Sequence, residues 1–272
     1  MQKADSILDV GFLSPHVSDY VAEHRAEHAA WFEFSERVNR NGQRLLSEAK
    51  ITTGDAGTSD PKFLAFLLLI RTLSNFQAVI LLVERGMIVE ARTLARSCYE
   101  NMFCLVSLQK FGAEFSQKML NDELASRKAT SNWLLQKEGR LDHAGADAAK
   151  RLRETVYEID AISENIGRHV FEQIAEKAEV GDMYMFYRQL SWDAAHPSVT
   201  ALNRYLVEGE DPSNRTLRWG PDCLSKEVGD TLNICLPAIF VTLIAAREMV
   251  VDRTPDAELS ILWHEYKQLL NV

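Results

Sequence analysis

The sequence predicts an all-α protein, a single bundle of about seven to nine helices at ~10–25 residues each. Three observations carry that prediction. Apolar residues recur at helical spacing in nearly every segment. The 272 residues hold only 13 glycines and 7 prolines, too few for the many turns of an all-β protein. Two long apolar stretches, Phe63 to Val83 and Ile88 to Phe111, are joined by a short link and so predict antiparallel neighbours at the centre of the fold. The expected organisation is one domain over 1–272, with an N-terminal helix and loop (18–59), a core (60–208), and a loop with C-terminal helices (209–272).

Each element has a local reason. Ser18 is placed to cap a helix to about Lys50, with Tyr20, Trp31, Phe34, Val38 and Leu45 as its apolar members. The stretch 51–60, ITTGDAGTSD, is loop by composition. Asp60-Pro61 supplies a capping carboxylate and a proline at the first helical position. Gly86 suits the left-handed residue that closes that helix. Two polar, amphipathic helices are expected over 114–140 and 144–180, then a shorter one over Met183 to Ala195, kinking or continuing at Pro197. Residues 209–222 read as the longest loop, with Arg-Thr-Leu-Arg-Trp as its one strand-like segment. A helix from about Ser225 to Val251, bent near Pro237, and a terminal helix opened by Pro255 complete the chain.

Composition narrows the function. Thirty basic against 39 acidic residues give a formal net charge of −9. That excludes bulk nucleic-acid coating and attachment to an anionic membrane, both of which need a positive field, but allows a small local basic pocket. Cys98, Cys104, Cys223 and Cys235 form no C-x-x-C pair and no zinc-finger spacing, so reduced, buried thiols in a cytoplasm are the simple reading. The first twenty residues lack a basic start followed by an apolar run, so no signal peptide is expected. The run Phe63 to Val83 is interrupted by Arg71, Asn75 and Gln77, and Ile234 to Ala246 is short and holds Pro237, so both read as core helices rather than membrane spans.

Four clusters bear on chemistry. His24-Arg25-Ala26-Glu27-His28 matches the inverted zinc-protease pattern, but the stretch is charged and reads as a solvated face, so no metal or other cofactor is expected. Arg92, Arg96 and Glu100 are spaced by four on an otherwise apolar helix; buried charges there must be paired, either as a register-fixing ion pair or as the wall of an anion pocket. The run 187–197 brings Tyr187, Arg188, Ser191 and His196 together, with His196 at a helix break beside a proline and so suited to proton transfer near neutral pH. Arg71 and Asn75 lie one turn apart in an apolar helix and need polar partners, for which the Arg92–Glu100 stripe is the natural source.

The pairing of LLVERGMIVEARTLARSCYEN (81–101) with YRQLSWDAAHPS (187–198) resembles a bacterial all-helical family of unknown function. Its members share an apolar helix ending in glycine, an Arg-x3-Arg-x3-Glu helix and a later Tyr-x2-Leu-Ser-x4-His motif. That family is similar in turn to the HEPN superfamily of helical nucleotide-binding and RNA-cleaving domains, which carry Arg-x4-6-His and act as dimers. The resemblance implies a HEPN-like core, a homodimer, and a metal-independent ribonuclease or nucleotide-binding protein of a toxin or phage-defence type. Its site would use His196, Arg96, Glu100, Arg92 and Ser191 in catalysis and Arg71, Asn75, Tyr187 and Arg188 in binding. Here the spacing is Arg188-x7-His196, outside the HEPN range, which moves the arginine role to Arg92 or Arg96. The same residues also allow a non-catalytic helical binding or regulatory module whose polar cluster is structural.

Overall fold

The chain is described in a computed structural model over residues 7–51, 57–137, 145–162, 167–195, 198–207, 216–217, 220, 225–252 and 254–270. Helix α1 (Ile7–Val10) is a single turn. The expected N-terminal helix is divided into α2 (Val17–Glu27) and α3 (Ala29–Glu48), broken at His28 with φ −114 and ψ 29. Ser18 does not cap it; its hydroxyl donates to the Pro15 carbonyl from inside the first turn. The break has a tertiary cause. It lets Arg25 bridge Glu36 and Glu84, the latter at 2.9 Å, while His24 Nδ1 sits 3.2 Å from the Glu84 carbonyl.

Helix α4 (Pro61–Val83) starts as its sequence dictates: Asp60 accepts from the Lys62 and Phe63 amides at 2.8 and 3.1 Å. Gly86, at φ 73, closes it, with the Met87 amide reaching the Leu82 carbonyl and the Gly86 amide the Val83 carbonyl, both at 2.9 Å. That tight exit returns the chain as α5 (Ile88–Phe111), antiparallel to α4. Helix α5 is the centre of the bundle: Ala91, Ala95, Cys98, Tyr99, Met102, Phe103 and Leu105 are all fully buried. Helix α11 (Ser225–Val250) packs against both α5 and α4, α3 lies beside α4 and α11, and α12 (Ala257–Leu269) lies on α3. Gly42 permits the closest approach of α3, since a Cβ there would meet Leu73 Cδ2 at 2.5 Å.

Pro237 deprives the Asn233 carbonyl of its helical donor inside α11. The Tyr266 hydroxyl meets Asn233 instead, at 2.7 Å from Oδ1 and 3.4 Å from the carbonyl, and Tyr99 donates to the Ile234 carbonyl at 2.7 Å. These two tyrosines thereby tie α12 and α5 to the proline turn. The terminal helix is capped by Asp256 rather than opened by Pro255 itself.

The outer layer follows α5. Helix α6 (Ala113–Leu135) pairs with α7 (Gly145–Ile162), while α8 (Phe171–Lys177) and α9 (Tyr184–Leu190) lie across α5. The expected single helix over 144–180 is two, because Gly167 lowers helix propensity and Asp122 captures the His169 amide at 2.6 Å with Val170 extended. After α9 come a π-helical turn (Ser191–Ala195) and α10 (Val199–Leu202). Of the strand-like segment, the described residues Thr216–Leu217 (β2) pair antiparallel with Leu206–Val207 (β1), the one ladder among the described residues. The fold is all-α otherwise.

As formed helices, α4 and the Lys226–Val250 stretch of α11 are long and apolar enough to cross a membrane, with mean hydropathy 1.9 and 1.8. The sequence runs looked shorter because polar residues and Pro237 interrupt them without ending the helix. The most apolar window of α11 is 72% buried inside the bundle and that of α4 39%. Cys98, Cys104 and Cys235 are free, buried thiols, and burial pushes the Cys104 thiol up to about 12. Cys223 lies outside the described residues.

Candidate functional site

The stripe Arg92–Arg96–Glu100 faces α9 and the π turn. Arg92 Nε donates to Thr231 Oγ1 at 3.0 Å, and its Nη1 pairs with Asp193 Oδ2, with Glu227 at 3.8 Å. Arg204 approaches the same two carboxylates, Asp193 at 3.3 Å and Glu227 more closely. The four side chains close a ring of two cations and two anions. Both arginines are only 15% exposed, and the carboxylates 30% and 21%, so the ring is shielded enough for its pairing to matter. It joins α5, the π turn, the turn after α10 and the first turns of α11.

Arg96 forms a second group. It donates to the Tyr187 hydroxyl at 3.0 Å, pairs with Glu100 at 2.8 Å, and stacks over the Tyr187 ring with its guanidinium carbon 5.0 Å from the centroid. Burial works against its charge, but the Tyr187 hydrogen bond and the Glu100 carboxylate outweigh it and hold its pKa above the ordinary value.

The remaining predicted residues divide. Tyr187 and Ser191 are buried, and the Ser191 hydroxyl donates to the Tyr187 carbonyl at 2.8 Å, one turn back. Arg188 is exposed, stacked over the exposed Trp192 ring at 4.9 Å, and points away from the stripe. Arg71 is exposed and Asn75 half-buried on α4; among the described residues neither bonds to the stripe. His196 lies outside the described residues. The chain on either side is anchored: the Thr93 hydroxyl sits 3.5 Å from the Ala194 carbonyl, and Ser198 caps α10. Sequence reasoning missed Asp193, Arg204, Glu227 and Thr231. Asp193 was within reach, three residues before His196 in the motif already singled out. Arg204 and Glu227 stand 23 positions apart, and no spacing shows that they meet.

The His24–His28 stretch is not a solvated face: His24 is 7% exposed and turned to the end of α4, which ties this helix to the core. No group of three metal-ligating side chains occurs among the described residues.

Away from the stripe, a cavity of about 190 Å³ opens between α5, α6 and α8. Ser107 on α5, 1% exposed, contributes a hydroxyl with no hydrogen-bond partner among the described residues. His169 stacks on Phe115 at 5.6 Å with planes 8° apart; its Nδ1 is 3.8 Å from Asp122, and its Nε2 is buried without a partner. Lys118, Arg168 and Lys177 lie at the mouth against one lining carboxylate, Glu114. A second cavity, about 390 Å³, lies beside Arg92 but carries Asp193 and Asp230.

Burial holds the His28 and His169 imidazoles below their ordinary pKa, against the pull of Glu27 on the first and of Asp122 on the second. The unfolded chain therefore binds more protons from about pH 6.5 down to the depressed folded values, and stability falls as pH drops through that window. The urea midpoint at about pH 5.5 should lie below that at about pH 7.5, and His169→Gln should remove part of the difference. A midpoint that is flat across this range in the native protein would contradict the burial argument.

No curated protein and no solved structure matches this chain. A family model does match, over residues 62–213, a span that holds α4 to α10 together with Arg92, Arg96, Glu100, the 187–198 motif and the whole 190 Å³ cavity. With more than half of its length matched, the chain belongs to the family of unknown function DUF5677.

Proposed function

We propose that this protein is a non-catalytic helical binding module in which the Arg92 and Arg96 clusters lock the outer helices onto α5. The observation that carries this reading is the charge balance of the ring. Arg92 and Arg204 are matched one for one by Asp193 and Glu227. A cation meant for a phosphate or a developing phosphorane needs an edge left for it, and here the adjoining cavity adds Asp230 instead. Arg96 is engaged by Glu100 and Tyr187 through Nη2, although its buried Nε has no hydrogen-bond partner among the described residues, and Ser191 is engaged by a backbone carbonyl. Purified protein incubated with single-stranded and structured RNA in chelator should leave the RNA intact, and His196→Ala should change nothing. Cleavage abolished by that substitution would overturn the reading.

A second reading, the HEPN-like metal-independent ribonuclease, is favoured by one observation. The π turn Ser191–Ala195 directly precedes His196 in the chain, and π turns inside helices concentrate at functional sites. In that case His196 is the proton-transfer group and Arg92 or Arg96 the anion contact. The same RNA assay separates the two.

A homodimer belongs to this proposal on the resemblance. Helix α11 is mostly spent in the core, whereas Leu67, Ile70 and Leu81 on α4 face solvent and are where a second copy would pack. Light scattering at micromolar concentration should report twice the chain mass, and Leu81→Glu should halve it. A stable monomer in the native protein rules the dimer out.

A further inference from the structure

We infer that the cavity between α5, α6 and α8 is a binding site for a small organic anion that also carries a hydrogen-bonding group. The inference rests on the binding-module reading and gives that module a ligand class. Size comes first. An engineered cavity of about 150 Å³ holds one benzene ring, so about 190 Å³ admits one ring with a small substituent. The walls suit such a body, because Phe111 and Phe115 supply apolar surface.

Buried polar groups come second. Ser107 is 1% exposed, yet its hydroxyl has no hydrogen-bond partner among the described residues, and the residue lines the cavity. Neither helix ladder nor neighbouring side chain uses it, so a group inside the cavity is its natural partner. His169 repeats the pattern. Its Nδ1 lies 3.8 Å from the Asp122 carboxylate, beyond hydrogen-bond distance, and the Lys118 backbone also meets the ring. Its Nε2 is buried with no hydrogen-bond partner among the described residues, and a polar group of a ligand can meet it in either tautomer. Burial holds this imidazole below its ordinary pKa, against the pull of Asp122.

Charge comes third. The chain carries a net −9, but the mouth of this cavity gathers Lys118, Arg168 and Lys177 against the single lining carboxylate Glu114. Arg168 is held by Ser126 at 3.4 Å; neither lysine has a carboxylate partner among the described residues. A local positive field on an acidic protein draws small anions while the surrounding negative surface repels polyanions. That separates a small carboxylate or phosphate ester from RNA as the ligand.

The test uses the full chain and two probes, 4-hydroxybenzoate and 2-aminobenzoate, followed by calorimetry and by the shift in melting temperature. Each should bind saturably at one site. Neutral 4-hydroxybenzamide should bind about fivefold or more weakly than 4-hydroxybenzoate. Ser107→Ala and Lys118→Ala should each weaken both probes by about five- to tenfold. Lys118 is exposed, so its variant keeps the fold even if Ser107→Ala does not. Absence of saturable binding by either probe up to about 10 mM overturns the inference, as does binding that Lys118→Ala and Ser107→Ala leave unchanged. RNA cleavage dependent on His196 would instead remove the binding-module reading, and the titration would still decide the cavity on its own.

Discussion

Arg92→Ala should destabilise the protein by about 2–3 kcal/mol, between the cost of breaking a fully buried ion pair and that of an exposed one. The placement follows from exposure: the four side chains of the ring are between 15% and 30% exposed. Removing the Arg92 guanidinium leaves Asp193 and Glu227 sharing Arg204 alone and strips Thr231 of its partner. Removing Asp193 instead leaves two arginines on Glu227, so it should cost a similar amount. The double variant Arg92→Ala/Asp193→Ala should cost less than the sum, with a coupling of about 1–2 kcal/mol. Urea unfolding of the four proteins gives that number directly. Additivity within about 0.5 kcal/mol would mean that the ring does not act as a unit.

Phe103→Ala should cost about 3–5 kcal/mol, the range for truncating a fully buried aromatic ring. Phe103 has no exposed surface, and its ring lies 6.0–6.5 Å from those of Tyr99, Phe171, Tyr184 and Tyr187. It is one of the contacts through which α8 and α9 sit on α5, beside Tyr99–Phe186 and Arg96–Tyr187. Losing it should also release Tyr187 from Arg96, so amide exchange in α9 should quicken more than in α4. Phe103→Leu should cost about 1.5 kcal/mol or less, since most of the volume stays. A cost below about 1 kcal/mol for the alanine variant would show that the outer helices are held elsewhere.

The backbone plan is local, and for that reason it was legible in the residues. Asp60-Pro61 starts α4 and Gly86 ends it because capping and left-handed geometry are decided within four residues. The apolar runs of α4, α5 and α11 had to meet because no other surface could cover them. The same periodicity did not show the break at His28, since a pattern of 3.6 residues survives a one-residue interruption. Arg25 and His24 reaching Glu84, sixty positions away, make that break worthwhile.

The candidate site divides along the same line. That Arg92, Arg96 and Glu100 needed partners followed from charge on an apolar helix. Which partners they took was a tertiary matter: Asp193 and Tyr187 arrive from α9 and its π turn, Arg204 from the turn after α10 and Glu227 from the start of α11. The cavity behind Ser107 had no signal at all, because a serine in an apolar stretch of α5 reads as an ordinary helix residue. The sequence by itself determined an all-helical bundle centred on the α4–α5 hairpin, because capping, spacing and burial act between near neighbours. Only the tertiary structure decided that Arg92 and Arg204 are matched by two carboxylates and that two unmatched polar atoms, Ser107 Oγ and His169 Nε2, belong to the cavity between α5, α6 and α8, because those outcomes depend on side chains brought together from distant segments of the chain.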